Sequence, residues 1–406
     1  MAGDALPSRI RRAAGRWWPW IVGSLLSLQL FYTDYTHSDG GRLEGKAFWG
    51  RDFVNLWGGG HFLREGGAPD IYDVETYRQF IGTLFGPLKP HNYSYPPLTF
   101  PVAELFSFLP YGIALAAWLI GTGALFVWAV RSWWPREWHS PWLALLTPAA
   151  MMNIWAGHYG FLIGALFLMG FQRLGERKPA EAGGWFGLML VKPHLAILIP
   201  LVLLVRRQWV AIVAGAVTVA LLIVATIAAF GLEPWQDWLV EGGGKQLSLI
   251  DAGGSFYGFM STSAATAVLR FSDDMTLALG AQAVLAIAAI AGLVAAASRR
   301  TPIPDLAMLT ATATFLVLPY AFNYDLMVVT VAALRLWADP DSTKGHRAAA
   351  ILGFIAPQIG MLVAPLGWPL TPLMLAALFA GQLDLALRRT RALPAAPAAG
   401  GEARSA

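Results

Sequence analysis

The chain has 406 residues, of which 56% are hydrophobic and only 13% are charged, whereas a soluble domain carries about 25% charged residues. Its apolar residues come in runs of roughly 15 to 23, the length that crosses a bilayer core, which predicts an all-α, multi-pass membrane protein. The net charge of +4 is spread over short links between these runs, so nucleic acid is not an expected partner. The chain has no cysteine, which excludes disulfides and thiolate chemistry.

The apolar runs and their breakers predict about twelve transmembrane or hairpin helices in one integral-membrane domain, residues 1–391. In chain order the predicted segments are 17–33, 108–130, 141–157, 159–172, 184–192, 194–205, 209–230, 276–298, 303–319, 324–338, 347–365 and 369–387. The first run is not followed by a small-residue cleavage site, so we expect a retained helix and not a signal peptide. The Ala/Pro/Gly-rich composition of 392–406 predicts a disordered tail.

The distribution of positive charge predicts where the chain turns. With both termini in the cytoplasm, most of the 29 lysines and arginines fall on the cytoplasmic side. The Arg206–Arg207 pair stays on that side only if the chain turns back at Lys192-Pro193-His194. The same reasoning predicts turns at Gly157-His158 and within 319–325, so that three polar turns lie on the outer side.

Two long outer loops are predicted on the side of these turns, at 34–107 and 231–275. Both mix aromatic, glycine and charged residues, which is typical of ordered loops with short amphipathic helices. We expect the protein in the bacterial cytoplasmic (inner) membrane, surrounded by membrane lipids, with a site that faces the periplasm.

Asp52 in "GRDFVNLWGGGHFLREGG" has two interpretations. It is a suitable N-cap for a helix that runs to about Glu65. It is also a suitable general base at the membrane surface, where the neighbouring Arg51 would keep its carboxylate ionised. Local sequence does not separate the two, because a cap and a base both require a short acid.

Lys192 and His194 lie within the apolar stretch "GWFGLMLVKPHLAILIPLVLL". Ionisable groups in hydrocarbon are costly and usually mark function, so one interpretation is a cationic site for a phosphate. The alternative is a snorkelling lysine beside a proline kink.

Further polar residues near the predicted turns and in the first outer loop are candidates for substrate binding. Each has a structural alternative, such as an interfacial tyrosine, a satisfied turn residue or, for Asp325, a helix cap. The candidates are Arg51, Asn55, His61, Arg64, Tyr93, Tyr95, Asn153, His158, Asn323, Tyr324 and Asp325. The chain has no metal-binding or nucleotide-binding motif, so we expect neither a metal nor a cofactor.

Five motifs in order, "RDFVNLWGGGHFLREGGAPDIYD", "YSYPPLTFPVAELFSFLPYGIALAAW", "NIWAGHYGFLIGALFLMG", "GLMLVKPHLAILIPLVLLVRRQW" and "FLVLPYAFNYDLMVV", resemble glycosyltransferase family 87. The resemblance covers roughly residues 17–340. It implies a GT-C-type fold and transfer of a sugar, mannose in the characterised members, from a polyprenyl-phosphate donor. The acceptor would be a glycolipid or a glycan.

The resemblance also implies roles for individual residues. Asp52 occupies the position of the catalytic base, and Lys192-Pro193-His194 matches a segment involved in donor-head binding. Lys192 is the first candidate for the donor phosphate, followed by Arg64, His61 and His194. The chain has Gly157-His158 where the family has G-Q, which puts any amide role at that position in question. It has "PYAFNYD" where a histidine pair is usual, which puts the donor or acceptor in question.

Two other classes of protein remain open. A transporter or flippase of lipid-linked glycans is also polytopic and sparsely charged, although it would be expected to place charges on broken helices in paired halves. A glycan ligase would use a diphosphate-linked donor and would require more outer-side arginines than this chain offers. A non-catalytic scaffold gives no reason for Lys192 and His194.

Overall fold

The computed structural model describes residues 8–43, 47–89, 91–136, 138, 140–248 and 256–392, and within them the fold is almost entirely helical. The helices are α1 Ser8–Thr36, α2 Phe53–Arg64, α3 Val74–Phe85, α4 Phe100–Ser107, α5 Tyr111–Val130, α6 Pro148–Ala156, α7 Gly160–Gly175, α8 Pro179–Leu188, α9 Ile199–Val205, α10 Trp209–Phe230, α11 Glu233–Ser248, α12 Phe256–Met260, α13 Ala264–Val268, α14 Met275–Ser298, α15 Ile303–Val317, α16 Met327–Ala338, α17 Lys344–Val363 and α18 Thr371–Ala392. Most of the predicted helical segments correspond to one of them.

Four helices in the described part of the chain are long and apolar enough to cross a membrane: Tyr111–Val130, Trp209–Phe230, Met275–Ser298 and Lys344–Leu366. Four more apolar stretches, Gly160–Gly175, Pro193–Val205, Ile303–Val317 and Met327–Ala338, are shorter. At 1.5 Å per residue the shorter ones do not reach across a hydrocarbon core of about 30 Å. The apolar helices support a membrane protein, while the total of about twelve passes stays a prediction.

The three predicted turns are confirmed. The chain breaks between α6 and α7 at Gly157 and His158, between α8 and α9 around Lys192, and between α15 and α16 at 318–326. The turns also meet one another, since Lys192 contacts Asp325 and His158 contacts both Asp325 and Asp52. The side of the membrane that this end faces stays a prediction.

The described residues of the first long loop contain short helices, as predicted, but they are not entirely helical. It contains a small antiparallel sheet of β1 Ser38–Asp39, β2 Arg42–Leu43 and β3 Ala47–Phe48, with Ser38 opposite Leu43 and Arg42 opposite Phe48. The sequence analysis did not predict this small sheet, although the described chain is mostly helical, as expected. Strands of two residues leave no period-2 pattern in the sequence.

Short helices carry the rest of this loop. The start of α2 and its end at Arg64 agree with the prediction of a helix to about Glu65. Helix α2 packs closely on α4, because a Cβ on Gly60 would lie 2.0 Å from the carbonyl oxygen of Ala103. Helix α3 buries Tyr77, Ile81 and Phe85, which are spaced four apart on one face.

The second loop also contains short helices, α11 to α13, and residues 249–255 lie outside the described part. The disordered tail was predicted at 392–406; Ala392 is the last residue of α18, and 393–406 lie outside the described residues as well.

The opposite end of the bundle gathers the charges predicted to be cytoplasmic. Arg389 of α18 pairs with Asp339 at 2.6 Å, with Asp341 at 3.0 Å and with Asp305 at 3.3 Å. Arg206, after α9, donates to the carbonyl oxygen of Thr301 at 3.0 Å. The basic links therefore share one end, away from Asp52.

Candidate active site

Asp52 precedes the first residue of α2 but does not cap the helix. Its backbone has φ −72° and ψ −18°, which is helical, and its side chain makes no capping hydrogen bond. An N-cap normally has extended backbone, which directs the side chain back onto the helix N–H groups. Asp73 and Asp274 adopt that geometry before α3 and α14, and both accept backbone hydrogen bonds. Of the two interpretations of Asp52, the structure contradicts the cap.

Tertiary contacts impose this backbone on Asp52. Its N–H donates to the carbonyl oxygen of Ala156 at 3.0 Å, at the end of α6. Gly157 then has φ +64°, and a Cβ there would lie 2.5 Å from the carbonyl oxygen of Gly50. Arg51 itself has φ +35°, a strained value for a residue with a side chain. The loop before α2 is thus held against the turn between α6 and α7, and the Asp52 carboxylate does not cap α2.

The carboxylate of Asp52 lines a cavity of about 340 Å³, a size typical of a small-molecule site. Polar side chains from α1, from the loop before α2, from the segment after α3 and from the third turn line the cavity: Gln29, Thr33, Asp34, His37, Arg51, Asp52, Lys89, His91 and Tyr324. Apolar side chains such as Trp155, Met260 and Met361 complete the wall. The cavity therefore combines one available acid with several basic groups.

Burial and four neighbouring groups determine the charge state of Asp52. Its side chain remains 23% exposed, yet burial raises the pKa of its carboxyl from 3.8 to about 6. The ammonium of Lys192, the guanidinium of Arg51 and a hydrogen bond from the Tyr324 hydroxyl act in the opposite direction, while the charge of Asp325 adds to the rise. A carboxyl with a pKa of about 6 is well suited to accept a proton near neutral pH.

Arg51 is not the direct partner of Asp52. Its Nη2 donates to both oxygens of Asp34 on α1, at 2.7 and 2.9 Å. Its Cζ lies 3.8 Å from the centroid of the Trp155 ring. The prediction that Arg51 keeps Asp52 ionised therefore applies only through a weaker, longer-range charge effect.

Behind Asp52 the three turns form a buried polar cluster. Lys192 Nζ donates to Asp325 Oδ2 at 2.5 Å and lies 3.4 Å from His158 Nδ1. His158 stacks on Tyr324 with ring centroids 4.3 Å apart, and its Nε2 lies 3.0 Å from the Tyr95 hydroxyl oxygen. Asp325 is therefore the ion-pair partner of Lys192 and not the cap of α16, whose first residue has no side-chain cap.

The model of glycosyltransferase family 87 matches residues 93–319 of the chain, which is more than half of its length. The chain belongs to this family. No curated protein and no solved structure matches it. The family membership and the apolar helices together identify a membrane glycosyltransferase.

The matched range of this glycosyltransferase includes His158 and Lys192, whereas Asp52 precedes it and Tyr324 and Asp325 follow it. The folded chain nevertheless brings all five side chains together. His158 Nε2 lies 4.0 Å from Asp52 Oδ2, and His158 Nδ1 lies 3.8 Å from Asp325 Oδ1. The cluster thus unites the family-matched core with residues on both sides of it.

Two of the predicted phosphate ligands lie far from Asp52. His61 and Arg64 occupy the opposite end of α2, the last residue of which is Arg64, and neither lines the cavity. The His61 ring packs on Trp57 with centroids 4.0 Å apart. Arg64 donates to the carbonyl oxygen of Ser107 at 3.2 Å. The structure does not bring either residue to the cavity that Asp52 lines.

Three other candidates make contacts within the protein that give them a structural role. Asn55 accepts from the Tyr77 hydroxyl through its backbone oxygen at 3.2 Å. Tyr93 is buried, and its hydroxyl lies 2.8 Å from the Thr99 hydroxyl. Asn153 accepts from the N–H of Gly160 at 2.8 Å and so caps α7. All three stabilise the loop and the first turn around the cavity.

Two further candidates lie beside the third turn. Asn323 donates to the carbonyl oxygen of Pro357 at 2.7 Å, which ties the turn to α17. His194 packs near Tyr320, with ring centroids 5.4 Å apart. Neither lines the Asp52 cavity, so a role for them in substrate binding stays a prediction.

The sequence analysis missed several groups that line the cavity. Asp34 and His37, at the end of α1, and Lys89 and His91, after α3, contribute to its wall. Burial lowers the pKa of His91 to about 4, and the neighbouring charge of Arg78 acts in the same direction, so His91 is a neutral donor or acceptor. A useful signal was present: charged residues directly follow both the first apolar run and the amphipathic helix α3.

Within the residues that the structure describes, no group of three or more His, Cys, Asp or Glu side chains is placed to hold a metal ion. The expectation of metal-independent chemistry stays a prediction.

Proposed function

We propose that this glycosyltransferase moves a hexose, with mannose as the first sugar to test, from a polyprenyl-phosphate donor to a glycolipid or glycan acceptor. The reaction inverts the anomeric centre, uses Asp52 as the general base and takes place on the outer, periplasmic face of the cytoplasmic membrane. It requires no metal and no other cofactor.

One observation carries the proposal: the Asp52 carboxylate begins a helix without capping it and lines a cavity instead. A carboxylate at a helix start is ordinarily used to satisfy the orphan N–H groups of the first turn. Here the carboxylate is available to a ligand, and the Tyr324 hydroxyl and His158 lie on its protein side.

The chemistry requires few groups beyond a base. The acceptor oxygen forms a bond to the anomeric carbon as the bond from that carbon to the phosphate oxygen breaks, and the acceptor proton passes to Asp52. A positioned base contributes typically about 10²–10⁴-fold. The leaving polyprenyl phosphate is a stable anion, so it needs cations or hydrogen-bond donors more than a strong acid.

Basic groups in the cavity supply that electrostatic support. Arg51, Lys89 and His37 line the same space as Asp52. Arg51, which also pairs with Asp34, Lys89 and His37 are therefore the candidates to contact the donor phosphate.

The test is a transfer assay with the purified protein in lipid vesicles. The wild-type protein should transfer labelled mannose from polyprenyl-phosphate-mannose to acceptors in a membrane lipid extract, without added metal and with an α-linked product from a β-linked donor. Asp52→Asn should lose this transfer. Its matched control is Asp70→Asn, because Asp70 is an exposed acid of the same loop that does not line the cavity.

Two results would contradict the proposal. Transfer from a polyprenyl-diphosphate sugar, with none from the monophosphate donor, would favour the glycan ligase. Movement of a lipid-linked glycan across the vesicle bilayer without formation of a new glycosidic bond would favour the flippase.

A further inference from the structure

Lys192 and Asp325 form a short, buried ion pair. Lys192 Nζ and Asp325 Oδ2 are 2.5 Å apart, and the two side chains are only 8% and 0% exposed. The residues are 133 positions apart in the chain, so the bond joins the turn after α8 to the turn after α15. A buried charge pair of this kind is stable only while both partners remain together.

Tyr324 separates Lys192 from the cavity. The Tyr324 side chain lines the cavity and Lys192 does not. The ammonium of Lys192 lies 5.1 Å from the centroid of the Tyr324 ring, and the Lys192 side chain is buried. For Lys192 to reach a phosphate in the cavity, Tyr324 would have to move and Asp325 would be left buried without its partner, which is strongly unfavourable.

The side chains of Tyr324 and His158 connect the Lys192–Asp325 pair to Asp52. Tyr324 directly precedes Asp325 in the chain, and its hydroxyl donates a hydrogen bond to Asp52. The His158 ring lies against Tyr324 and has Nδ1 within 3.4 Å of the Lys192 ammonium. Because an ammonium only donates, the contact with Lys192 favours the tautomer in which His158 Nδ1 accepts and Nε2, the nitrogen that faces Tyr95 and Asp52, carries the proton.

We propose that Lys192 and Asp325 form a positioning pair, which holds Tyr324 and His158 behind Asp52, and that Lys192 does not bind the donor phosphate. This assignment rests on the proposed function, and it replaces the donor-binding role that the sequence predicts for Lys192. The pair acts through Tyr324, which orients the base, and through His158, whose Nε2-protonated tautomer it favours.

A double-mutant cycle tests the pairing. The single variants Lys192→Met and Asp325→Leu each leave one buried charge without a partner, whereas the double variant removes both charges. Each single variant should lower both the melting temperature in detergent and kcat, the latter by roughly 100-fold because the base is displaced. The double variant should lose much less than the product of the two single effects. Additive losses would overturn the pairing.

Kinetics separate a positioning role from phosphate binding. If Lys192 only positions, the KM for polyprenyl-phosphate-mannose and the inhibition constant of polyprenyl phosphate stay close to the wild-type values in the double variant, while kcat carries the loss. An inhibition constant raised about tenfold or more, as expected for a lost charge-assisted hydrogen bond, would overturn the proposal.

The pH profile gives a readout that general loss of stability would not change. The charged and titratable groups around Asp52 are Asp34, His37, Arg51, Lys89, His91, Tyr95, Tyr111, His158, Lys192, Tyr324 and Asp325. Asp325→Asn removes a negative charge and keeps an oxygen that accepts from Lys192, so the acid limb of activity should move to lower pH and the fold should be retained. An unmoved limb in that variant would contradict the coupling to Asp52.

Failure of the inference and failure of the proposed function give different results. An inactive wild-type protein would refute the proposed transfer, and the melting-temperature cycle would still report the pair. Normal transfer by the wild-type protein, together with a phosphate-binding defect in the double variant, would refute the positioning role alone.

Discussion

Helices α2 and α14 are both preceded directly by an aspartate, Asp52 and Asp274. The two aspartates differ in backbone conformation and in the hydrogen bonds of their side chains. Asp274 has ψ 99° and accepts from the N–H groups of Thr276 and Leu277 at 2.8 and 3.1 Å. Asp52 has ψ −18° and accepts from neither of the corresponding groups. The difference is imposed from outside the helix, by the bond from the Asp52 N–H to the oxygen of Ala156. A single backbone angle thus separates a structural acid from one available for chemistry.

The largest expected effect comes from removing the charge of Asp52, and the same substitution at Asp274 is the comparison. Asp52→Asn should lower kcat by about 10²–10⁴-fold, because an amide does not accept the acceptor proton. Asp274→Asn should leave kcat and stability close to wild type, because asparagine caps a helix as well as aspartate does. The measurement is initial-rate kinetics on both purified variants. Equal losses, or no loss for Asp52→Asn, would remove the distinction between the two sites.

The next largest effect should come from disturbing the contact that determines ψ at Asp52. Gly157→Ala places a Cβ 2.5 Å from the carbonyl oxygen of Gly50, so the loop must shift. A displacement of about 1 Å costs roughly 100-fold in rate. Gly66→Ala is the matched control, because Gly66 also has positive φ, at +84°, but nothing lies within 4 Å of its Cβ. Rates are compared after both variants have been shown to fold. Similar activity in the two would mean that backbone strain alone, and not the contact with Gly50, explains any loss.

A smaller effect is expected from removing the hydrogen bond between the Tyr324 hydroxyl and Asp52. Tyr324→Phe removes a bond to a charged group, typically about 1.5–3 kcal/mol, so a loss of at least about tenfold in kcat is expected. This bond lowers the pKa of Asp52. Its removal should raise that pKa and move the acid limb of the rate profile to higher pH. A limb that moves to lower pH would contradict the bond.

The smallest effect is expected from removing the side chain of Asp274, which caps α14. Asp274→Ala should reduce the free energy of unfolding by about 1 kcal/mol, because two N–H groups of α14 lose their acceptor. Its kcat should not change. The check is the melting temperature in detergent, with the rate measured on the same preparation, and a loss of rate without a loss of stability would contradict a purely capping role.

Much of the helical framework was predictable from the sequence, because it depends on local signals. Apolar length, proline breaks and the distribution of arginine gave most of the helices and all three turns, including the break at Lys192 that hydropathy alone would have missed. The first outer loop was correctly expected to contain short helices. Its small sheet was not predicted, since strands such as Arg42–Leu43 are too short for a pattern to develop.

The candidate site was predictable only in part. The sequence identified Asp52, His158, Lys192, Tyr324 and Asp325 separately, and the charge distribution correctly placed the three turns together. The bond from Lys192 to Asp325 spans 133 residues, and no local pattern encodes it. His61 and Arg64 lie near Asp52 in the sequence but at the other end of α2, because a 12-residue helix is about 18 Å long.

The pH dependence of kcat/KM in the wild-type protein and in Asp52→Asn tests the role of Asp52 most directly. A base acts when deprotonated, so with a pKa of about 6 the wild-type rate should rise with pH through that value and level off above it. The residual rate of Asp52→Asn should lack that limb. A wild-type rate that is flat across this range, or a limb near pH 6 that persists in Asp52→Asn, would contradict the assignment of Asp52 as the base.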